Sequence, residues 1–135
     1  MRKIIILLLI LTPFLGIQAQ KQNKAEIIVQ KQIVAYNAKD IDAFAATFTD
    51  NVTFYNFPKQ EFLKGKKQLR ELFGDLFRKN PDLYCEIESK IVTGNIVIFQ
   101  ENVQFQKEQP FLEYIVMYKV ENDKIKEVNF LKRPQ

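Results

Sequence analysis

The spacing of hydrophobic residues along this chain changes near its middle. Up to Asn80 most apolar residues recur at helical intervals, and after Pro81 they recur at every second position. A period of about 3.6 residues is typical of a helix with one buried side, and a period of two is typical of a strand with one buried face. The pattern predicts helices mainly in the first half and a sheet in the second.

The first half contains signals for three helices and two short strands. The predicted elements are a helix to about residue 37, a helix over 41–48, a strand over 52–55, a strand over 60–64 and a helix over 66–80. Asp40 is placed to cap the helix 41–48, whose apolar residues fall at i, i+3, i+4 and i+7. Pro58 ends the first strand and Pro81 ends the last helix.

Turn signals divide the second half into four predicted strands, at 83–92, 96–106, 111–121 and 124–131. Such a run of strands forms an antiparallel meander when its turns are short. The fold class predicted is therefore α+β, with three N-terminal helices packed on one face of a curved antiparallel sheet.

Residues 1–19 have the pattern of an export signal. Arg2 and Lys3 precede an apolar run, and Ile17–Ala19 forms a plausible cleavage site. The alternative is a membrane anchor, but the run is broken by Pro13 and is short of the roughly 20 residues that a bilayer needs. We expect one domain over 20–135, exported to the periplasm or the medium, without stable membrane insertion after the signal is removed.

The composition disfavours several classes of function. The leader holds two of the 20 basic residues, which leaves 18 against 16 acidic residues, a net charge of +2 and little reason to expect nucleic acid as a partner. The chain has no histidine and four isolated glycines, so Ser-His-Asp catalysis, histidine-containing zinc sites and Gly-rich phosphate loops are absent. We expect neither a metal nor a cofactor. Cys85 is the single cysteine, so no intrachain disulfide forms.

Register across the turns predicts one inward-facing surface on the meander. The turn at 107–110 pairs two strands so that Phe105, Val103, Glu101, Phe99 and Val97 lie opposite Leu112, Tyr114, Val116, Tyr118 and Val120. The preceding turn adds Leu83, Cys85, Ile87, Ser89 and Ile91 to this face. The turn at 122–123 leaves open whether Asn129 or Phe130 joins it.

Glu101 is the one carboxylate on this predicted apolar face. Partial desolvation would raise its pKa toward a value useful in acid/base chemistry. One hypothesis makes Glu101 a general acid or base, with Asn56 and Tyr114 donating hydrogen bonds to a substrate oxygen. The other places Glu101 at a bulge or at the rim of the sheet, paired with a lysine or with water.

Four segments together resemble the nuclear transport factor 2-like superfamily, which includes SnoaL-like polyketide cyclases and ketosteroid isomerases. They are Tyr36–Asp42, Phe48–Phe54, Lys64–Lys66 and the closing hairpin 118–125. The resemblance spans essentially the whole of 20–135. It implies a conical α+β barrel with a pocket between helices and sheet, and a homodimer formed through the outer sheet face.

Ketosteroid isomerases use three residues whose matching positions here carry other side chains. The resemblance puts their catalytic aspartate at Asn56, the tyrosine of their oxyanion hole at Gln32, and their protonated aspartate at Val116 or Met117. An amide cannot take a proton from carbon, so the sequence disfavours isomerase chemistry of that kind. The candidate pocket residues are Gln32, Tyr36, Phe54, Asn56, Phe73, Phe77, Phe99, Tyr114, Val116 and Tyr118.

Three functions of different classes stay open at this point. The first is an exported protein that binds a small, largely apolar molecule in a conical pocket. The second is a SnoaL-like isomerase, cyclase or lyase that acts on a carbonyl compound through Glu101. The third is a dimeric interaction module whose cavity is filled by its own side chains.

Overall fold

The computed structural model describes residues 22–135. The predicted export signal and its cleavage site lie outside these residues. Within the described range, none of the helices is both long enough and apolar enough to span a bilayer.

Three helices and six strands make up the described chain. They are α1 (Lys24–Ala38), α2 (Ile41–Ala46), β1 (Phe48–Asn56), β2 (Gln60–Lys64), α3 (Gly65–Lys79), β3 (Tyr84–Thr93), β4 (Ile96–Gln104), β5 (Leu112–Glu121) and β6 (Lys124–Lys132). The strands form one sheet in the order β2-β1-β6-β5-β4-β3.

The α+β class is confirmed, with two corrections. Only α1 and α2 precede the sheet, because α3 follows the β1–β2 hairpin. The sheet is mixed and not antiparallel, because the last strand of the meander, β6, inserts beside β1 and runs parallel to it. The other neighbouring strands are antiparallel.

The boundary between α2 and β1 lies earlier than the predicted end of the second helix at Phe48. The helix ends at Ala46, and Phe48 begins β1 while remaining fully buried. The Thr47 hydroxyl donates to the Phe44 carbonyl at 2.7 Å, and the Thr47 carbonyl accepts the Ile125 amide at 2.8 Å. The hydrogen bond to Ile125 makes the chain after Thr47 part of the sheet. The hydrophobic spacing alone is compatible with Phe48 at the end of the helix or at the start of a strand.

The register between β4 and β5 differs by two residues from the prediction. Glu101 lies opposite Tyr114 and not Val116, which is opposite Phe99. The connection is longer than the predicted turn at 107–110, because pairing stops at Val103 and Leu112. A shift of two residues preserves the face on which each side chain lies, so the predicted inward residues of both strands still point inward.

A bulge in β3 corrects two further predictions. The register shifts between Ile87 and Ser89, where the bulged strand has one extra residue. Beyond this point Ser89 and Ile91 turn to the outer face, where Ile91 is 62% exposed. Lys90, paired with Phe99, moves to the inner side instead.

The main core lies between the helices and the inner face of the sheet. Its aromatic part is a cluster in which Tyr36, Phe44, Phe73 and Phe77 have ring centroids between 4.7 and 6.5 Å apart. Tilted and edge-on ring pairs of this kind add to the free energy gained by burial. The cluster fixes α1, α2 and α3 relative to one another.

Asn37, at the end of α1, fixes this helix to the edge strand β3. Its Nδ2 donates to the Cys85 carbonyl and its Oδ1 accepts the Cys85 amide, both at 2.8 Å. The side-chain amide therefore pairs with β3 as one residue of a further strand would. The neighbouring Lys39 adds a bond of 3.0 Å from Nζ to the Leu83 carbonyl.

We expect Asn37→Ala to lower the free energy of unfolding by about 2 kcal/mol, because it leaves two part-buried backbone groups without partners. Urea unfolding followed by circular dichroism measures this change. Asn102→Ala is the matched control, because within residues 22–135 the Asn102 side chain bonds only to Glu88, on the exposed face. Equal effects of the two substitutions would contradict a special role for Asn37.

Candidate functional site

A cavity of about 380 Å³ lies between the helices and the inner face of the sheet. We call it the inner cavity. Its volume falls within the range of about 300–1,000 Å³ typical of small-molecule pockets. The lining residues are Gln32, Ile33, Tyr36, Phe44, Phe48, Phe54, Phe62, Leu72, Phe73, Asp75, Leu76, Lys79, Asn80, Cys85, Glu101, Val103, Phe105, Tyr114, Tyr118, Val128, Phe130 and Arg133.

The inner cavity has a closed end and an open mouth. At the closed end the side chains are buried, among them Tyr36, Glu101 and Tyr118. At the mouth Phe62 is 38% exposed, and Arg133 is also exposed. An apolar molecule can therefore enter past a rim that is partly charged and lose most of its contact with water inside.

Glu101 is the buried acid of the closed end. Tyr118 donates its hydroxyl hydrogen to Glu101 Oε1. Burial raises the pKa of Glu101 to about 7, and the hydrogen bonds from Tyr118 and Cys85 limit that rise. Near neutral pH this carboxyl can therefore either hold or release a proton, as a general acid or base must.

The groups around Glu101 are neutral donors at physiological pH. Burial is the main cause that raises the pKa of Tyr118 well above its usual range, and the nearby Glu101 carboxyl adds to this. Burial likewise raises the pKa of the Cys85 thiol and of Tyr36. Cys85 therefore stays a thiol and is not activated as a nucleophile.

Gln32, on α1, brings an amide into the inner cavity. The residue is 5% exposed, yet its Oε1 has no hydrogen-bond partner among residues 22–135. A buried acceptor without a partner costs about 1–3 kcal/mol. A bound molecule that donates a hydrogen bond to this oxygen would recover that free energy.

Arg133 follows β6 and crosses the mouth of the inner cavity. Its guanidinium carbon lies 4.4 Å from the ring centroid of Phe130 and 5.0 Å from that of Phe62. Its Nε donates to Asn56 Oδ1 at 2.6 Å. Two rings and one amide therefore hold the orientation of this cation.

The structure brings together most of the sequence-predicted pocket residues. Those that line the inner cavity are Gln32, Tyr36, Phe54, Phe73, Tyr114 and Tyr118, together with Glu101. Four others do not line it. Phe77, Phe99 and Val116 are buried in the core instead, and Asn56 holds Arg133 beside the mouth.

Sequence reasoning missed the residues of the mouth. Neither Phe62, in the predicted strand 60–64, nor Arg133 is among the predicted pocket residues. Phe130, one of the two residues left open by the turn at 122–123, does line the inner cavity. The signal in the sequence was the presence of phenylalanines at positions 54, 62 and 130, which lie on three neighbouring strands. This signal can be used only if β6 is known to lie beside β1.

The inner cavity offers no arrangement suited to a metal. Among residues 22–135 no group of three or more Cys, Asp or Glu side chains is close enough to share an ion. Its acidic residues are Glu101 and Asp75, and Asp75 forms an ion pair of 2.7 Å with Lys79.

We expect Glu101 to make the stability of the protein depend on pH. Because its folded pKa of about 7 exceeds the ordinary 4.5, the folded state keeps the proton more strongly, and this contribution is lost as pH rises from 4.5 to 7. The shift corresponds to about 3 kcal/mol. In urea unfolding, the free energy of unfolding of Glu101→Gln should therefore rise relative to wild type by about 2.5 kcal/mol between pH 5 and pH 8.

Glu113→Gln is the control for this measurement. The Glu113 carboxyl is exposed, and hydrogen bonds from Lys132 and Gln100 lower its pKa. Its stabilising contribution is present above the ordinary pKa and is lost only as pH falls through the lowered one. If Glu101→Gln and wild type lose stability in parallel from pH 5 to pH 8, the pKa of Glu101 is not raised.

Comparison with known proteins places this geometry in a family. The sequence profile of the SnoaL-like domain matches residues 29–128. No curated protein matches the chain in sequence.

Many solved structures share the fold, and the following three are examples. A cystatin-fold protein from Novosphingobium aromaticivorans is 24% identical with a TM-score of 0.71, over 83% of this chain and 100% of that one. A SnoaL-like protein from Burkholderia thailandensis is 18% identical with a TM-score of 0.68, over 82% and 95%. A nuclear transport factor 2-like protein from Cytophaga hutchinsonii is 15% identical with a TM-score of 0.67, over 83% and 92%.

At these identities the structural likeness concerns the fold and not the activity. The profile match extends over most of the chain and includes the residues of α1, β1, β4 and β5 that form the closed end of the inner cavity. The chain belongs to the SnoaL-like family of the nuclear transport factor 2-like superfamily.

Proposed function

We propose that this protein binds a small, largely apolar molecule in the inner cavity. The observation that carries the proposal is the buried Gln32 Oε1, which has no partner among the described residues and lies in a cavity walled mainly by aromatic and aliphatic side chains. Aromatic walls favour an apolar ligand through burial of its surface, and a few buried polar groups fix its orientation. Gln32 can accept one hydrogen bond from such a ligand.

The size of the inner cavity weighs against the interaction module predicted as an alternative. That hypothesis requires the protein's own side chains to fill the space. About 380 Å³ stays open between helices and sheet, enough for a small organic molecule.

Export and dimerisation remain predictions. The outer sheet face carries a chain of hydrogen bonds, from Ser89 Oγ to Gln100 Oε1 at 2.7 Å and from Gln100 Nε2 to Glu113 Oε2 at 3.0 Å. Lys132 Nζ extends this chain by donating a hydrogen bond of 2.7 Å to Glu113 Oε1. A homodimer through this face would bury these hydrogen-bonded polar groups at its interface.

We expect residues 20–135 to bind the neutral fluorophore N-phenyl-1-naphthylamine at one site per chain, with increased emission, because the ring enters an aromatic environment. Leu76→Trp should weaken binding at least tenfold, since Leu76 lines the inner cavity and the larger side chain narrows it. Fluorescence titration measures both.

Lys67→Trp is the matched control, because Lys67 lies on the exposed side of the same helix. It should leave the affinity unchanged. Binding that Leu76→Trp and Lys67→Trp affect equally would place the fluorophore outside the inner cavity, and the absence of binding by the wild type would contradict the proposal.

Acid/base catalysis by Glu101 is a second candidate function, favoured by its position and its pKa of about 7. A carbonyl compound inside the inner cavity could lose a proton from the carbon next to its carbonyl to the Glu101 carboxylate. Neutral phenols such as Tyr114, which also lines the cavity, could donate to the resulting oxyanion.

The test uses 2-tetralone, an aromatic cyclic ketone, in D₂O. If Glu101 acts as a base, the protein should accelerate exchange of the α-hydrogens, with a rate that rises through an apparent pKa of about 7. Glu101→Gln should slow the protein-dependent exchange roughly 100-fold or more while leaving fluorophore binding intact. Proton NMR follows the exchange, and equal rates for wild type and Glu101→Gln would exclude Glu101 as the base.

A further inference from the structure

The guanidinium of Arg133 is held so that one of its edges stays open. Its plane is held by the rings of Phe130 and Phe62, at 4.4 and 5.0 Å. Its Nε–H is used by Asn56. A guanidinium has five N–H groups, and the four on Nη1 and Nη2 donate to no acceptor within residues 22–135.

The other cations near the mouth of the inner cavity already have a carboxylate partner in Asp75. Lys79 Nζ lies 2.7 Å from Asp75 Oδ2, and Arg78 Nη2 lies 3.0 Å from Asp75 Oδ1. Arg133, in contrast, has no carboxylate of the described residues within 4.0 Å. Glu101, the remaining acid of the cavity, is buried at the closed end.

We propose that the ligand of the inner cavity is an amphipathic carboxylic acid, whose carboxylate binds the Nη1–Nη2 edge of Arg133 while its apolar body extends toward Gln32 and Glu101. This inference rests on the proposed binding function and adds a chemical class and an orientation to it. The paired N–H groups of a guanidinium match the two oxygens of a carboxylate in a bidentate arrangement.

A singly charged head group fits this mouth better than a phosphate. Arg133 supplies one positive charge and has no carboxylate partner among the described residues, whereas Lys79 and Arg78 both bind the Asp75 carboxylate. A phosphate monoester carries close to two negative charges at neutral pH, one more than the Arg133 guanidinium can balance. The carboxylate, partly exposed at the mouth, also keeps part of its hydration, which limits the cost of binding a charge.

The opposite orientation would place the carboxylate beside Glu101. Two carboxyl groups that share a buried site cannot both be ionised without a large cost. The closed end instead offers the Gln32 oxygen as an acceptor, which suits a hydroxyl or N–H on the far end of the ligand.

The test compares decanoate with decanol, two molecules of the same length that differ in their head group. Each is titrated at pH 6 against protein loaded with N-phenyl-1-naphthylamine, where the Glu101 carboxyl, with a pKa of about 7, is mainly protonated. We expect wild type to prefer decanoate at least tenfold. In Arg133→Met, which keeps an apolar stem over the two rings, the ratio of the two affinities should fall to about one.

Lys132→Met is the matched control for loss of one positive charge. Lys132 pairs with Glu113 on the outer sheet face, at 2.7 Å, away from the inner cavity. It should keep the preference of wild type for decanoate over decanol. The ratio of affinities isolates the head group, because any change in packing at the mouth affects both molecules.

Each outcome distinguishes this inference from the function on which it rests. Equal affinity of wild type for decanoate and decanol, or a preference that survives in Arg133→Met, overturns the assignment of the carboxylate to Arg133 and leaves apolar binding in place. Failure of wild type to bind the fluorophore and both decyl compounds overturns the proposed function together with the inference.

Discussion

The free-energy cost of keeping the Glu101 carboxyl out of water is the constraint on which the rest of this structure depends. The side chain lies on β4, the second of the four meander strands β3 to β6, with the helices over it and aromatic rings on either side. A buried carboxylate with no partner would be too costly, and the fold meets that cost partly through Tyr118 and partly by favouring the protonated form. The aromatic side chains around Glu101 must therefore leave space for the groups that donate hydrogen bonds to it. This space is part of the inner cavity, which Glu101, Tyr118 and Cys85 all line.

The helices are positioned with respect to this acid by contacts that involve the same part of the sheet. Asn37 binds both backbone groups of Cys85, the residue whose thiol also contributes to the environment of Glu101. Through α1, this anchor places Tyr36 and Gln32 on the wall of the inner cavity. The attachment of the first helix and the polarity of the closed end are therefore linked, since movement of α1 from β3 would expose Glu101 to water.

Much of the fold could be predicted from the sequence, because most of its elements have a single dominant period. The α3 pattern and the alternation in β4 predict which side chains face inward, and an error of two residues in register does not change a face. Alternation predicts Glu101 as the inward acid for the same reason. The position of the bulge after Ile87 could not be predicted. An extra residue in a strand leaves the hydrophobic pattern unchanged when apolar residues occur at both odd and even positions around it. Phe48 was misplaced because its position satisfies both the helical spacing and the start of a strand.

The mouth could not be predicted because it depends on which strands are neighbours. A parallel β1–β6 pair brings Asn56 opposite Phe130, and only then does Arg133, three positions later, reach the ring of Phe62 on β2 as well as that of Phe130. In the sequence, Arg133 is indistinguishable from a solvated cation near Lys132. The structure separates the two: Lys132 neutralises Glu113 on the outer face, whereas Arg133 is stacked and held by Asn56 beside a cavity. The same topology that makes the sheet mixed thus makes the inner cavity polar at both ends, with a fixed cation at the mouth and a titratable acid at the base.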